Sequence, residues 1–208
     1  MSVVITAAVG YLLGSIPSGV LIGRLVTGHD VRESGSGKSG FTNTLRSAGV
    51  GAALVVLAAD TAKGALPVVA GLLLFDDPWA AAAGGLCAVA GHNWPVFAGF
   101  RGGRGVATSL GGFAAMAPPA ALAVVAFGLV LLATTRYVSV TSMASTAAGS
   151  VVLVALVLAG RLPEPYLLFA VGAAAAVELS HIENLRRLLA GTEPKLGHGG
   201  SGRGGVRP

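Results

Sequence analysis

The sequence predicts an all-α integral membrane protein of about seven transmembrane helices, one of them short or partly inserted, with glycine-rich cytoplasmic loops. Three observations predict it. The 208-residue chain is 53% hydrophobic and only 11% charged, with a mean hydropathy of +0.76, and so few charges could not cover a soluble domain of this size. Its apolar residues gather into runs of membrane-crossing length. Its 32 glycines would weaken a soluble helix bundle, whereas in lipid small residues let helix backbones approach and pack.

The runs lie near 2–25, 51–75, 79–99, 119–134, 138–160 and 164–185, each close to the roughly 20 residues a spanning helix needs. A seventh, near 105–117, is shorter and stops at Pro118-Pro119. The first run has no basic n-region and continues into Gly14-Ser15-Ile16-Pro17 without an obvious cleavage site, so it reads as a span and not as a signal peptide. Residues 1–196 form a single membrane-embedded domain, and the glycine-rich stretch 197–208 reads as a flexible tail. The lone Cys87 cannot form an internal disulfide and reads as a small packing residue.

With seven passes, the loops at 27–50, 100–104 and 135–137 share a side with the C-terminus. Arg24, Arg32, Lys38, Arg46, Arg101, Arg104, Arg136, Arg186, Arg187, Lys195, Arg203 and Arg207 fall on or beside that side. Only Arg161 falls on the other, among Asp76, Asp77 and Glu164, while Lys63 lies inside a span. The positive-inside rule then places the basic loops and the C-terminus in the cytoplasm and the N-terminus outside a bacterial plasma membrane. A pI near 10 is accounted for by topology and anionic lipid headgroups, with no nucleic acid required.

The stretch Glu33-Ser34-Gly35-Ser36-Gly37-Lys38-Ser39 resembles a nucleotide P-loop, but the pattern needs glycine at position 32, which is Arg32, and no strand context surrounds it. Its chemistry is nevertheless that of an anion site. Gly35, Gly37 and Gly40 can turn backbone N–H groups toward a ligand; Ser34, Ser36, Ser39 and Thr42 carry hydroxyls; Arg32, Lys38 and Arg46 carry charge; and a helix begins near Thr42. The plain alternative is a polar connection with a helix cap at Thr42. A second cluster, Arg101-Gly102-Gly103-Arg104, places two cations around a diglycine just before another helix. Together the clusters suit two phosphates or one large anion at a single membrane face.

A third cluster stands at the inner end of the last span. His181 and Asn184 are spaced to share a helix face and to hydrogen-bond one polyol or phosphate. The plain reading of His181 is an interfacial cap. Arg136 to Ser142 adds a cation and hydroxyls, including Ser139 and Ser142, at another inner helix start, where Tyr137 could equally be an interface anchor. Asp60 and Lys63 can pair on one face within the second run, and their depth, which separates them from the loops, assigns them a structural role.

These pieces, from Gly14-Ser15-Ile16-Pro17-Ser18-Gly19 through 30–49, Asp60–Gly64, 91–111 and His181–Gly197, together resemble the bacterial membrane acyl-phosphate:glycerol-3-phosphate acyltransferases in order and spacing over nearly the whole chain. The resemblance implies transfer of a fatty acyl group from acyl phosphate to the 1-hydroxyl of glycerol 3-phosphate. The products would be lysophosphatidic acid and inorganic phosphate, as a first step of phospholipid synthesis. It implies phosphate and substrate binding by Ser36, Gly37, Lys38, Thr42, Asn43, Arg101, Gly102, Gly103, Ser139 and Ser142, and reaction-centre roles for Arg46, Arg104, His181 and Asn184. Lys38 stands where the family often has Asn, Phe41 where a small residue is usual, and arginines replace lysines in the second loop. Arginine is a more rigid, bidentate phosphate ligand, and the extra cation Lys38 leaves a paralogous acyltransferase with another acceptor as an alternative.

No His-x-x-x-x-Asp motif is present, since the fifth residue after His29, His92, His181 and His198 is Ser34, Phe97, Arg186 and Arg203. There is also no nucleophile elbow, no Cys-His arrangement in the polar clusters and no group of residues with metal-ligand spacing. The expectation is therefore a substrate-assisted transfer without cofactor or metal, in which the donor's own phosphate takes the acceptor proton and the acyl tail lies in an apolar groove open to membrane lipid. The rival from another class is a transporter of an organic phosphate, which needs polar groups lining a path to the outer face; the short acidic outer loops oppose it.

Overall fold

The computed structural model describes residues 1–197, so the expected tail, apart from Gly197, lies outside the described residues. Among these the chain forms nine α-helices and no strand: α1 Ser2–Gly14, α2 Ser18–Thr27, α3 Phe41–Phe75, α4 Pro78–Asn93, α5 Val106–Met116, α6 Pro118–Thr135, α7 Val138–Leu158, α8 Tyr166–Ser180 and α9 Ile182–Leu189.

Among the described residues four segments are long and apolar enough to cross a membrane: Ser2–Thr27, Phe41–Phe75, Pro118–Thr135 and Val138–Leu158. Taken as one span, the bent pair α8 and α9 makes five. The expected seven is not reached on length. The run expected at 79–99 yields a helix of only 16 residues, because Pro95 drives Trp94 out of helical geometry, and α5 has 11 residues.

Local chemistry sets the other breaks. Pro17 separates α1 from α2. Gly49, at φ 83° and ψ 178°, interrupts α3 between its first turns and its long rod, a conformation that glycine adopts at little cost. The axis bends by 53° between α8 and α9, at His181.

Helices α1 and α4 run side by side in the same direction. Ser2 Oγ donates to Asp77 Oδ2 at 2.6 Å and Thr6 Oγ1 to the Ala80 carbonyl at 2.8 Å. Further along, a methyl group on Gly10 would overlap the Gly84 carbonyl, and one on Gly14 that of Ala88. This is backbone-on-backbone packing of small residues, which dispersion favours in lipid where large apolar side chains gain nothing from leaving the solvent. Helices α3 and α5 cross as closely, Gly64 against Thr108 and Gly111 against Thr61. Larger apolar residues, including Phe113, Met116, Leu153 and Phe169, fill the space among α5, α6, α7 and α8. Leu73, Leu122, Leu129, Val151 and Leu158 are exposed, as side chains meeting lipid would be.

Candidate active site

The loops expected to carry chemistry meet at one end of the bundle, around a cavity of about 670 Å³. The first loop is shaped from within. Gly35 and Gly37 take left-handed geometry at φ 61° and 67°, and the buried Asn43 holds the turn they make. Its Nδ2 donates to the carbonyls of Val31, Ser34 and Lys38, while its Oδ1 accepts from the Ser36 N–H at 2.9 Å. Arg32 spans Asp30, the Ala98 carbonyl and the Arg101 carbonyl, and so clamps this loop to the second one. Burial opposes the ionised Asp30, but the Arg32 side-chain bond outweighs it and holds the carboxyl below its usual range. These contacts leave Ser36, Lys38, Thr42 and Arg46 on the cavity wall beside the N-terminus of α3, which has no side-chain cap. Such an end carries partial positive charge and exposed donors.

The second loop contributes Arg104. Burial, followed by the like charge of Arg187, lowers its pKa from the usual value, though a guanidinium stays protonated. Its Nε is buried without a partner in the protein, and its carbonyl accepts from Ser180 Oγ at 3.1 Å. Gly102 and Gly103 do not border the cavity. A side chain on Gly102 would strike the His92 carbonyl and Pro95, and one on Gly103 the His92 imidazole, so the diglycine moulds the loop onto the end of α4. Arg101 is exposed, and neither it nor Gly37 reaches the wall, in contrast to the expectation.

His181, at the bend, is buried and borders the cavity. Its Nδ1 lies 2.8 Å from the Val177 carbonyl; that oxygen can only accept, so Nδ1 carries a proton and, in the neutral ring, Nε2 keeps its lone pair. Asn184 gives its Nδ2 to Glu193 Oε1 at 2.7 Å and leaves its Oδ1 buried without a partner. Ser139 Oγ is likewise buried, within reach of the Glu193 carboxylate. Buried polar atoms without partners are uncommon and costly, and here Arg104 Nε and Asn184 Oδ1 both belong to residues around one cavity.

Glu193, Arg187, Asp60 and His92 border the cavity and had no site role in the sequence reading. Glu193 pairs with Arg187 at 2.8 Å. Burial works to raise the Glu193 carboxyl, and the donors around it, Asn184 and Arg187 among them, hold it below its ordinary value. Asp60 and His92 also border the cavity, which corrects the view that depth separates Asp60 from the loops. Lys63 pairs with Asp60 at 2.8 Å, on the face expected. Among the described residues no group of His, Cys, Asp and Glu could hold a metal ion.

A second, narrower cavity of about 220 Å³ runs between α5, α6, α7 and α8 and is walled by Leu110, Phe113, Leu129, Leu153 and Phe169 among others. Val106, Leu110 and Ser142 line both cavities, so the polar site and the apolar groove lie side by side and share these residues.

The family model described as glycerol-3-phosphate acyltransferase matches residues 4–191. A glycerol-3-phosphate acyltransferase of Rubrobacter xylanophilus is 46% identical over 202 residues, covering 97% of this chain and 98% of its own. Glycerol-3-phosphate acyltransferase 2 of Moorella thermoacetica is 44% identical over 189 residues, 91% and 95% of the two chains. The crystal structure of PlsY, an integral membrane glycerol 3-phosphate acyltransferase, in its glycerol 3-phosphate form superimposes with a TM-score of 0.88 at 37% identity, over 95% of this chain and 96% of that one. Its lysophosphatidic acid form gives a TM-score of 0.86 at 36% identity, over 95% and 97%.

Proposed function

The chain belongs to the glycerol-3-phosphate acyltransferase family, and from that premise we propose that it transfers a fatty acyl group from an acyl phosphate to the 1-hydroxyl of glycerol 3-phosphate. The observation that carries the reading is the junction of the two cavities. A polar chamber with Lys38, Arg46 and Arg104 on its wall adjoins an apolar groove at Val106, Leu110 and Ser142. That is the shape required by a donor with a phosphate head and an alkyl tail beside a small anionic acceptor. The relatives' names support the acceptor and the transferase class, and the PlsY structures were solved in glycerol 3-phosphate and lysophosphatidic acid forms.

In this reading Arg104 and Arg46 hold phosphate oxygens, with the α3 N-terminus and the hydroxyls of Ser36 and Thr42 completing the cradle. Nε2 of His181 accepts from the glycerol hydroxyls, and the unpartnered amide oxygen of Asn184 does the same, its amide group held by Glu193. The 1-hydroxyl oxygen attacks the acyl carbonyl carbon, the bond from that carbon to the phosphate oxygen breaks, and the departing phosphate takes the hydroxyl proton. An acyl phosphate is already activated, so positioning and charge stabilisation carry the rate. Neither a metal nor a cofactor enters. The concentration of Lys and Arg at the cavity end supports a topology with that end in the cytoplasm and the N-terminus outside a bacterial plasma membrane.

Purified protein in lipid, given palmitoyl phosphate and glycerol 3-phosphate, is expected to release inorganic phosphate and form lysophosphatidate in equal amounts, both dependent on the acceptor. Turnover only with acyl thioesters would overturn the donor. Turnover only with another alcohol would overturn the acceptor and point to Lys38 on the cavity wall.

A further inference from the structure

Asp60 presents a carboxylate to a cavity that Lys38, Arg46 and Arg104 make attractive to anions. Left alone it would repel a phosphate, so its presence calls for a compensating contribution. Its Oδ1 lies 2.8 Å from Lys63 Nζ and 3.6 Å from His92 Nδ1, and all three residues are buried. Lys63 in turn donates to the Ile16 carbonyl at 3.0 Å, in the break between α1 and α2. The cluster therefore ties α3 to α4 and to the kink of the first span.

The other side of His92 bears on the second loop. Its carbonyl accepts the Gly103 N–H at 3.0 Å, and its imidazole lies so close to Gly103 that no side chain could stand there. Gly103 immediately precedes Arg104. A continuous physical path thus runs from Asp60 through the His92 ring to the backbone that aims the Arg104 guanidinium.

We infer that Asp60 and His92 are positioning residues for the acyl transfer: the carboxylate orients the imidazole, and the imidazole sets the Gly103–Arg104 backbone so that the guanidinium meets the reacting phosphate. The inference rests on the reading above, in which Arg104 holds a phosphate oxygen. It adds a requirement that Lys63 alone does not explain. If Asp60 existed only to neutralise Lys63, removing both charges together would restore activity.

The experiment compares wild type, Asp60→Asn, Lys63→Met, the double variant Asp60→Asn/Lys63→Met and His92→Gln in lipid, with palmitoyl phosphate as donor. Asp60→Asn is expected to lower kcat by about 10- to 100-fold, the range for a sub-ångström to ångström misplacement of a reacting group. The KM for glycerol 3-phosphate should stay within about twofold, because His181 and Asn184 are untouched. The double variant should remain as slow as the single one, and His92→Gln should reproduce the same split. Wild-type kcat in Asp60→Asn, or recovery in the double variant, would overturn the inference. Should Asp60→Asn fail to fold, His92→Gln decides alone: a kcat loss at unchanged acceptor KM supports the inference, and wild-type kcat defeats it. Inactivity of the wild type itself would instead be a failure of the acyl-phosphate reading.

Discussion

Where α1 and α4 begin, Ser2 meets Asp77 and Thr6 meets the Ala80 carbonyl, and the seam continues along both helices with Gly10 and Gly14 against the backbone of Gly84 and Ala88. At the opposite end of the same bundle, Arg104 Nε and Asn184 Oδ1 are buried without partners around an open cavity. The first region uses its polar and small groups to close the structure. The second leaves its polar groups unsatisfied and is held by partners set one layer back: Asn43 for the first loop, Glu193 for Asn184, Arg32 for the junction of two loops. In the proposed reading, ligand binding belongs to the end where polar groups around the cavity are left open, and the close packing along α1 and α4 supplies the rigidity that makes the open end tolerable.

The sharpest test of that contrast is Arg104→Ala. It should reduce kcat/KM by about 10²- to 10³-fold, the scale for losing one charge-stabilising group, while the thermal transition in detergent stays close to wild type. Gly14→Leu should invert the pattern, because its side chain would have to displace the Ala88 backbone. The expected result is poor recovery of folded protein on size-exclusion chromatography, with near-normal turnover per molecule in whatever fraction folds. Glu193→Gln comes next. By weakening the hold on Asn184 and Arg187 it should raise the KM for glycerol 3-phosphate by about tenfold, with a smaller change in kcat, as expected for loss of a charge-assisted hydrogen bond. The smallest effect belongs to Thr6→Val, which removes the bond to the Ala80 carbonyl and should cost about 1 kcal/mol of stability with no change in kcat.

Glu193 also sets the acid limb. Its carboxyl sits below the ordinary glutamate value of 4.5, so its contribution is complete above that value and is lost as the pH falls through the lower folded one. The wild-type acceptor KM should therefore stay flat from about pH 7 down to the ordinary carboxylate range and rise only below it. Glu193→Gln should show no such rise.

Much of this was legible in the sequence because it depends on local chemistry. The runs of apolar residues, the proline at 17, the glycines at 35 and 37, and the cations of the three clusters speak for themselves. The resemblance to the acyltransferases agrees with the family match. What stayed hidden depends on register between distant segments. Nothing local pairs Asp60 with His92; their meeting follows from how far α3 and α4 slide past each other before small residues lock them, Gly71 against Ala81 and Gly84 against Pro67. Glu193 folds back onto Asn184 and Arg187 after Gly191 takes φ 68°, and only that helix-stopping glycine could have hinted at it. The diglycine before Arg104 looked like a phosphate cradle, although its lack of side chains serves packing against His92. The length of α4 was overestimated because its apolar run continues beyond Trp94-Pro95 while the helix does not.

The central claim is that the open end of the bundle transfers the acyl group directly, with the donor phosphate and no protein nucleophile. The most direct measurement is rapid quenching of the enzyme with palmitoyl phosphate alone, followed by phosphate assay and intact-protein mass spectrometry. The account predicts no burst of phosphate and no acylated protein until glycerol 3-phosphate is added. A phosphate burst with a matching palmitoyl mass increase on the chain would contradict it.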